Sequence, residues 1–222
     1  MGLDVISMRM IRPHLAGASV LCLGYPDIQC PPDMVKDALG VEPTTFVEPP
    51  TINKQTFKYA ETISTLKLAG AKSVDVVDLI AHKKIERIVD LNVPQAWPRR
   101  YRLVINPGTL EHCFNLGQAW ANAWNAMEFE GLLMQVAPVT MLNHGFWNIN
   151  PIACSDWCAA NGGRVRQLVF GRNGSAADVT PKKIDDSDSG RGYLPEETVM
   201  YAMMQKLRDA LPVWPTQGIY RQ

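Results

Sequence analysis

Two short stretches carry the residue types that move protons. The first, NPGTLEHCFN at residues 106–115, sets Glu111 and His112 side by side. A histidine titrates near neutral pH and can take a proton from a hydroxyl or amine as that group attacks an electrophile. The second, NHGFWNIN at residues 143–150, places His144 among Asn143, Asn148 and Asn150. Amides supply donors and acceptors, Gly145 permits a tight turn, and Phe146 and Trp147 offer a stacking face. That combination suits a polyol or sugar better than an apolar substrate. The plain alternative is that Glu111 and His112 cap the next helix and the asparagines satisfy their own turns. A cation shared by His112, His144 and a carboxylate could orient a diol, but no ligand spacing marks one and no metal is expected. His14 and His82 read as surface or strand-end residues.

These stretches need a scaffold. Apolar runs at residues 18–23 (ASVLCL), 72–79, 87–91, 101–105, 132–136 and 165–170 have strand character and stop at turn residues. Continuous apolar runs of this kind suit strands buried on both faces, as in a parallel sheet. Helices are marked by their caps. Asn115 precedes residues 116–128, where Trp120, Trp124 and Met127 repeat at helical spacing and read as core packing. Asn150-Pro151 opens a helix that stops at Gly162-Gly163. Pro195 is expected to open another, with Val199, Met203, Leu207 and Ala210 along one stripe. Strands alternating with helices predict an α/β fold with a Rossmann-like, doubly wound, mostly parallel sheet.

In such a sheet, ligands bind beyond the carboxyl ends of the strands. Polar residues gather there: Gly24 after the first strand with Asp27 close by, Asp78 ending the second, and Asp90 and Asn92 after the third. An acid at Asp78 can accept two ribose hydroxyls. No GxxxxGK[ST] loop, G-x-S-x-G elbow or G-x-G-x-x-G turn is present, which disfavours phosphoryl transfer, the usual hydrolases of this fold and dinucleotide binding.

Lys plus Arg and Asp plus Glu balance at 22 each. A neutral chain lacks the field that gathers polyanions, so neither nucleic acid nor membrane is an expected partner. Five cysteines without a C-x-x-C pair read as reduced thiols, and no secretory pattern or membrane span is seen, so a cytoplasmic location is expected. The 222 residues fit one domain, with an insertion or lid over residues 25–71 and a polar loop over 171–193. Nothing specifies an oligomeric state.

The order LCLG, VDL, DLN, and then a strand leading into GTLEH resembles the nucleotide-site motifs of class I S-adenosylmethionine-dependent methyltransferases. The block GTLEHCFN…A..N…G.L..VAPV….NHGFWNINP is also similar to bacterial and phage methyltransferase-like proteins found near sugar or surface-polymer enzymes. The resemblance covers about residues 15–170. It implies S-adenosylmethionine near Gly24, with Asp78 on the ribose, Asp90 and Leu91 near the adenine, and Asn106, Gly108 and Thr109 on the methionine side. Two departures stand out. Tyr25 and Pro26 replace glycines of the first loop, and Pro26 removes a backbone donor; Asn106 stands where an acid is common. Asp27 would then help remodel cofactor binding.

The expected activity is methyl transfer to oxygen or nitrogen of a small polar acceptor, sugar or nucleotide-sugar-like, with Glu111, His112 and His144 at the reacting centre. The alternative is a methyltransferase fold that has lost catalysis and serves as a binding or assembly module.

Overall fold

The computed structural model describes residues 2–48, 57–81, 83–172, 182–183 and 192–220. Its centre is a seven-stranded sheet. The strands are β1 (Ser19–Leu23), β2 (Ser73–Asp78), β3 (Arg87–Ile88), β4 (Tyr101–Pro107), β5 (Met127–Pro138), β6 (Gly163–Arg172) and β7 (Thr198–Lys206). Their spatial order is β3-β2-β1-β4-β5-β7-β6. β1 pairs in parallel with both β2 and β4, β2 with β3, and β4 with β5. Only β7 is inverted, lying antiparallel between β5 and β6. The direction of winding reverses between β1 and β4, so their carboxyl ends flank a crevice.

Each face of the sheet has its own core. On β1, Val20 and Cys22 join one apolar cluster while Leu21 and Leu23 join the other, as the two-residue period of a strand requires. Helices α1 (Val5–Ile11), α2 (Pro32–Leu39) and α3 (Thr62–Leu68) contribute to the first cluster. Helices α4 (Leu116–Ala126) and α5 (Pro151–Ala160) contribute to the second. Trp120, Trp124 and Trp157 pack edge to face there, with centroids 5.4 and 6.3 Å apart, a favourable arrangement for ring quadrupoles.

The caps explain the helix starts. Asn115 accepts the Gln118 N–H at 3.3 Å, and Asn150 accepts the Ile152 N–H at 3.1 Å. Asp4 and Ser7 form a reciprocal capping box that opens α1. α4 ends at Ala126 and the chain passes straight into β5, so Met127 belongs to the strand.

The helix expected after Pro195 is instead strand β7, all nine residues of which are buried. Val199, Tyr201 and Met203 enter one core and Met200, Ala202 and Met204 the other. A strand covered on both faces is apolar at every position, so spacings of three and four are filled as readily as spacings of two. Residues 25–71 contain α2, α3 and a two-residue strand pair between Phe46–Val47 and Tyr59–Ala60. The polar loop expected over 171–193 lies mostly outside the described residues, as does His82. No helix among the described residues is long and apolar enough to cross a membrane.

Candidate functional site

The turn after β1 is shaped by its neighbours across the crevice. Gly24 adopts a φ of 81°, a region favouring glycine, and a Cβ there would collide with the Thr109 hydroxyl. That hydroxyl donates to the Leu23 carbonyl at 2.6 Å, tying the loop after β4 to the end of β1. Tyr25 then runs over the end of β2, where its N–H donates to Asp78 Oδ2 at 3.2 Å. Asp78 Oδ1 accepts the Leu79 N–H at 2.7 Å. The Tyr25 hydroxyl donates to Glu61, the N-cap of α3, at 2.8 Å. Pro26 therefore sits in a turn pinned at both ends.

A cleft of about 350 Å³ lies over this turn, within the usual range for small-molecule sites, roughly 300–1,000 Å³. Gly24, Asp78, Asp90, Leu91, Gly108 and Thr109 line it, as does His112. Asn92, noted in the sequence only as a polar residue at a strand end, also lines it, as do Tyr25 and Cys113, which are not among the expected ligand contacts. Backbone and side-chain donors of Asn92 hold Asp90 below the usual carboxyl range. The wall carrying Asp90 and Leu91 is fixed from behind by Asn122, whose amide donates to the carbonyls of Leu91 and Val93 at 2.9 Å each. A buried asparagine within a helix of alanines and tryptophans was the available signal for that role.

Two candidates stand apart from the cleft. Asp27 is not among its lining residues, and its carbonyl accepts the Leu3 N–H at 2.8 Å. Asn106 is fully enclosed and accepts the N–H groups of Thr109 and Leu110 at 2.9 and 3.2 Å. It organises the turn that presents Gly108 and Thr109.

Glu111, His112 and His144 come together although 31 positions separate the last two in the chain (144 − 112 − 1). The 139–150 loop is docked onto the turn after β4 by the Phe146 N–H on the Glu111 carbonyl, 2.9 Å, and by Trp147 Nε1 on the Cys113 carbonyl, 3.1 Å. Gly145, at a φ of 73°, lies so close that a Cβ would stand 3.0 Å from the Glu111 carbonyl and 3.2 Å from His112 Nδ1. His144 Nε2 is thereby held 3.7 Å, and His112 Nε2 4.0 Å, from Glu111 Oε1. The imidazole centroids are 5.3 Å apart.

Glu111 is 0% exposed, and neither of its carboxyl oxygens has a hydrogen-bond partner. His144 Nε2 is likewise buried and unpartnered. Burial pushes Glu111 up to about 7 and lowers both histidines from their ordinary value, because removal from water disfavours charge. Phe114, Phe146 and Trp147 form a partly exposed aromatic rim beside the cluster, with Phe114 5.5 Å from Phe146 and 6.2 Å from Trp147.

A wider groove of about 600 Å³ lies at the opposite edge of the sheet, among Lys72, Arg99, Arg100 and Arg102. It contains none of the residues singled out for chemistry, and Arg99 is already paired with Asp75 at 2.8 Å.

No family model and no curated protein matches the chain. Solved structures do. TehB from Haemophilus influenzae is 9% identical with a TM-score of 0.50, over 90% of this chain and 61% of that one. A Bacillus halodurans C-125 protein assigned as a methyltransferase is 13% identical with a TM-score of 0.49, over 92% of this chain and 99% of that one. An S-adenosylmethionine-dependent methyltransferase from Thermotoga maritima is 9% identical with a TM-score of 0.38, over 92% and 89%. At these identities the likeness is one of backbone architecture. With its strand order, its inverted β7 and its crevice between β1 and β4, the chain has a Rossmann-like, doubly wound, mostly parallel α/β fold that it shares with TehB.

Proposed function

We propose that the chain transfers a methyl group from S-adenosylmethionine to an oxygen or nitrogen of a small polar acceptor, a sugar or nucleotide-linked sugar. The observation that carries this reading is the shared residue His112. It lines the switch-point cleft and also belongs to the Glu111–His144 cluster. A donor in the one and an acceptor at the other would meet there.

The cleft's residues fit an adenosyl group. Asp78 accepts one N–H on each oxygen, and a carboxylate has further lone pairs for two hydroxyls. Gly24 leaves the turn without a side chain where the sugar would pass. Leu91 supplies an apolar wall for the base, and Asp90 stands at its edge. Gly108 and Thr109 would border the amino-acid end. When bound, S-adenosylmethionine supplies a methyl group activated by a sulfonium.

The rest falls to the chain's own residues. Alignment of nucleophile and methyl carbon supplies much of the rate in such a displacement. The aromatic rim of Phe146 and Trp147 would hold a sugar face, and Glu111, His112 and His144 would hold the attacking group and promote the loss of its proton.

The test is incubation with S-adenosylmethionine and a panel of sugars and nucleotide-sugars, with released S-adenosylhomocysteine followed by mass spectrometry. Release that depends on one acceptor, and is lost in a folded His112→Ala variant, is expected. Binding of S-adenosylhomocysteine without turnover on any of these acceptors would overturn the acceptor class.

A further inference from the structure

The acceptor side of the site contains a carboxylate in a situation that needs an explanation. A buried carboxylate normally collects two or three donors, and leaving one unpaired costs several kcal/mol. Glu111 has none on either oxygen. Three ordinary remedies are absent from its surroundings. Among the described residues no other residue's backbone N–H donates to it, its own N–H bearing only weakly on its charge, no Lys or Arg pairs with it, and the two imidazoles stop 3.7 and 4.0 Å away, beyond hydrogen-bond distance. Meanwhile His144 Nε2 is buried with no partner either.

We propose that Glu111, His112 and His144 form a binding site for one divalent transition-metal ion of the zinc class. One ligand atom from each residue lies within 4.8 Å of the other two. Ligands sharing zinc at about 2.0–2.2 Å stand roughly 3.3–3.6 Å apart in a tetrahedron. The Glu111–His144 separation of 3.7 Å is nearly there, and the other separations, all within 4.8 Å, would have to close by no more than about 1.5 Å. Two imidazoles and one carboxylate favour zinc, iron, cobalt or manganese over magnesium or calcium, which prefer oxygen donors. Three protein ligands leave a coordination position open, the arrangement of catalytic rather than structural zinc sites.

The local structure is built to hold this geometry. Glu111 and His112 lie in one short turn, which Asn106 caps from below. His144 arrives on a separate loop that is clamped to the same turn through Phe146 and Trp147. One of the three ligands, His112, also lines the cleft, so the ion would lie beside the cleft's end.

In methyl transfer, a role that rests on the function proposed above, the ion would take an acceptor hydroxyl and lower its pKa. The hydroxyl proton passes to solvent. The oxygen lone pair forms the new bond to the methyl carbon as the carbon–sulfur bond breaks, and its electron pair stays on sulfur as a neutral thioether. A vicinal diol, as in a sugar, could add a second oxygen to the same ion.

The test uses the full, untagged chain after chelation and dialysis. Cobalt(II) is titrated and followed by its visible absorption, and zinc(II) is then added to displace it. One cobalt per chain, displaced by zinc, is expected. Glu111→Gln and His144→Gln should each weaken binding by at least about 10- to 100-fold, with circular dichroism unchanged. A wild-type chain that takes up no more cobalt or zinc than the Glu111→Gln/His144→Gln double variant overturns the site. Calorimetry with S-adenosylhomocysteine on the same samples separates the two readings. Nucleoside binding without metal uptake overturns the metal site alone. Metal uptake without nucleoside binding supports the metal site and overturns the transfer role.

Discussion

Asp78 and Glu111 are carboxylates over the same edge of the same sheet, and the chain treats them in opposite ways. Asp78 is half-buried and steadied by two backbone N–H groups, from Tyr25 and Leu79. Glu111 is fully enclosed, neither of its oxygens has a hydrogen-bond partner among the described residues, and burial outweighs what favours its charge. The first is a carboxylate completed by its own fold, with lone pairs to spare for a ligand. The second is incomplete as the fold leaves it. Other buried side-chain atoms also lack a partner among the described residues, namely the indole N–H groups of Trp120, Trp124 and Trp157 and the Gln135 oxygen, but those are neutral. Glu111 is the one carboxylate among them, beside the equally unpartnered His144, and that is what points to chemistry at the second position.

Substitutions can break or sharpen this contrast. The largest effect is expected from Asp78→Ala. Hydrogen bonds to a charged group contribute about 1.5–3 kcal/mol, so S-adenosylhomocysteine should bind at least about 10- to 100-fold more weakly, read by calorimetry. Glu111→Met should do the reverse to stability. Replacing an unpaired buried carboxylate by an apolar side chain of similar volume should stabilise the metal-free chain to urea by about 1–2 kcal/mol while abolishing turnover. A loss of stability instead would mean that Glu111 has partners in solution. Gly145→Ala strains a left-handed residue and presses on Glu111 and His112. It should destabilise the chain by about 1–2 kcal/mol and reduce turnover by moving His144, as urea melts and rates together would reveal.

The smallest effect concerns Glu61, which anchors the cofactor side through Tyr25. Burial would raise its pKa, but donors at Ser64, Tyr25 and Ile63 outweigh this and hold it below the usual carboxyl range. Its folded pKa is thus below the unfolded one, so its stabilisation is complete above the unfolded value and is lost as pH falls through the folded one. The melting-temperature gap between wild type and Glu61→Gln should be widest at neutral pH and close as pH falls below about 4.

Much of this architecture is visible in the sequence, for identifiable reasons. The parallel strands end at turn residues, and Asn115 and Asn150-Pro151 announce α4 and α5. Gly24, Asp78 and Asp90 follow from the rule that ligands collect at strand ends, whereas Leu91, Gly108 and Thr109 come from the resemblance to the methyltransferases. β7 defeats periodicity because both of its faces are buried. The capping box at Asp4 and Ser7 was available but passes unnoticed when apolar stretches alone are scanned. Asn106 and Asp27 occupy plausible positions for ligand contact, and their distance from the cleft depends on loop paths no local pattern encodes. The meeting of Glu111 with His144 is of the same kind. It depends on how the 139–150 loop folds back, and the absence of donors around Glu111 is a property of packing that no short motif contains.

The central claim is that the cleft over Gly24 and Asp78 accepts an adenosyl group. Backbone amide resonances followed during addition of S-adenosylhomocysteine test it at the residue level. Saturable shifts are expected at Gly24, Leu79, Asn92 and Thr109, with Lys72 and Arg102 at the opposite edge unmoved. Unchanged resonances at millimolar ligand, or shifts confined to that opposite edge, would contradict it.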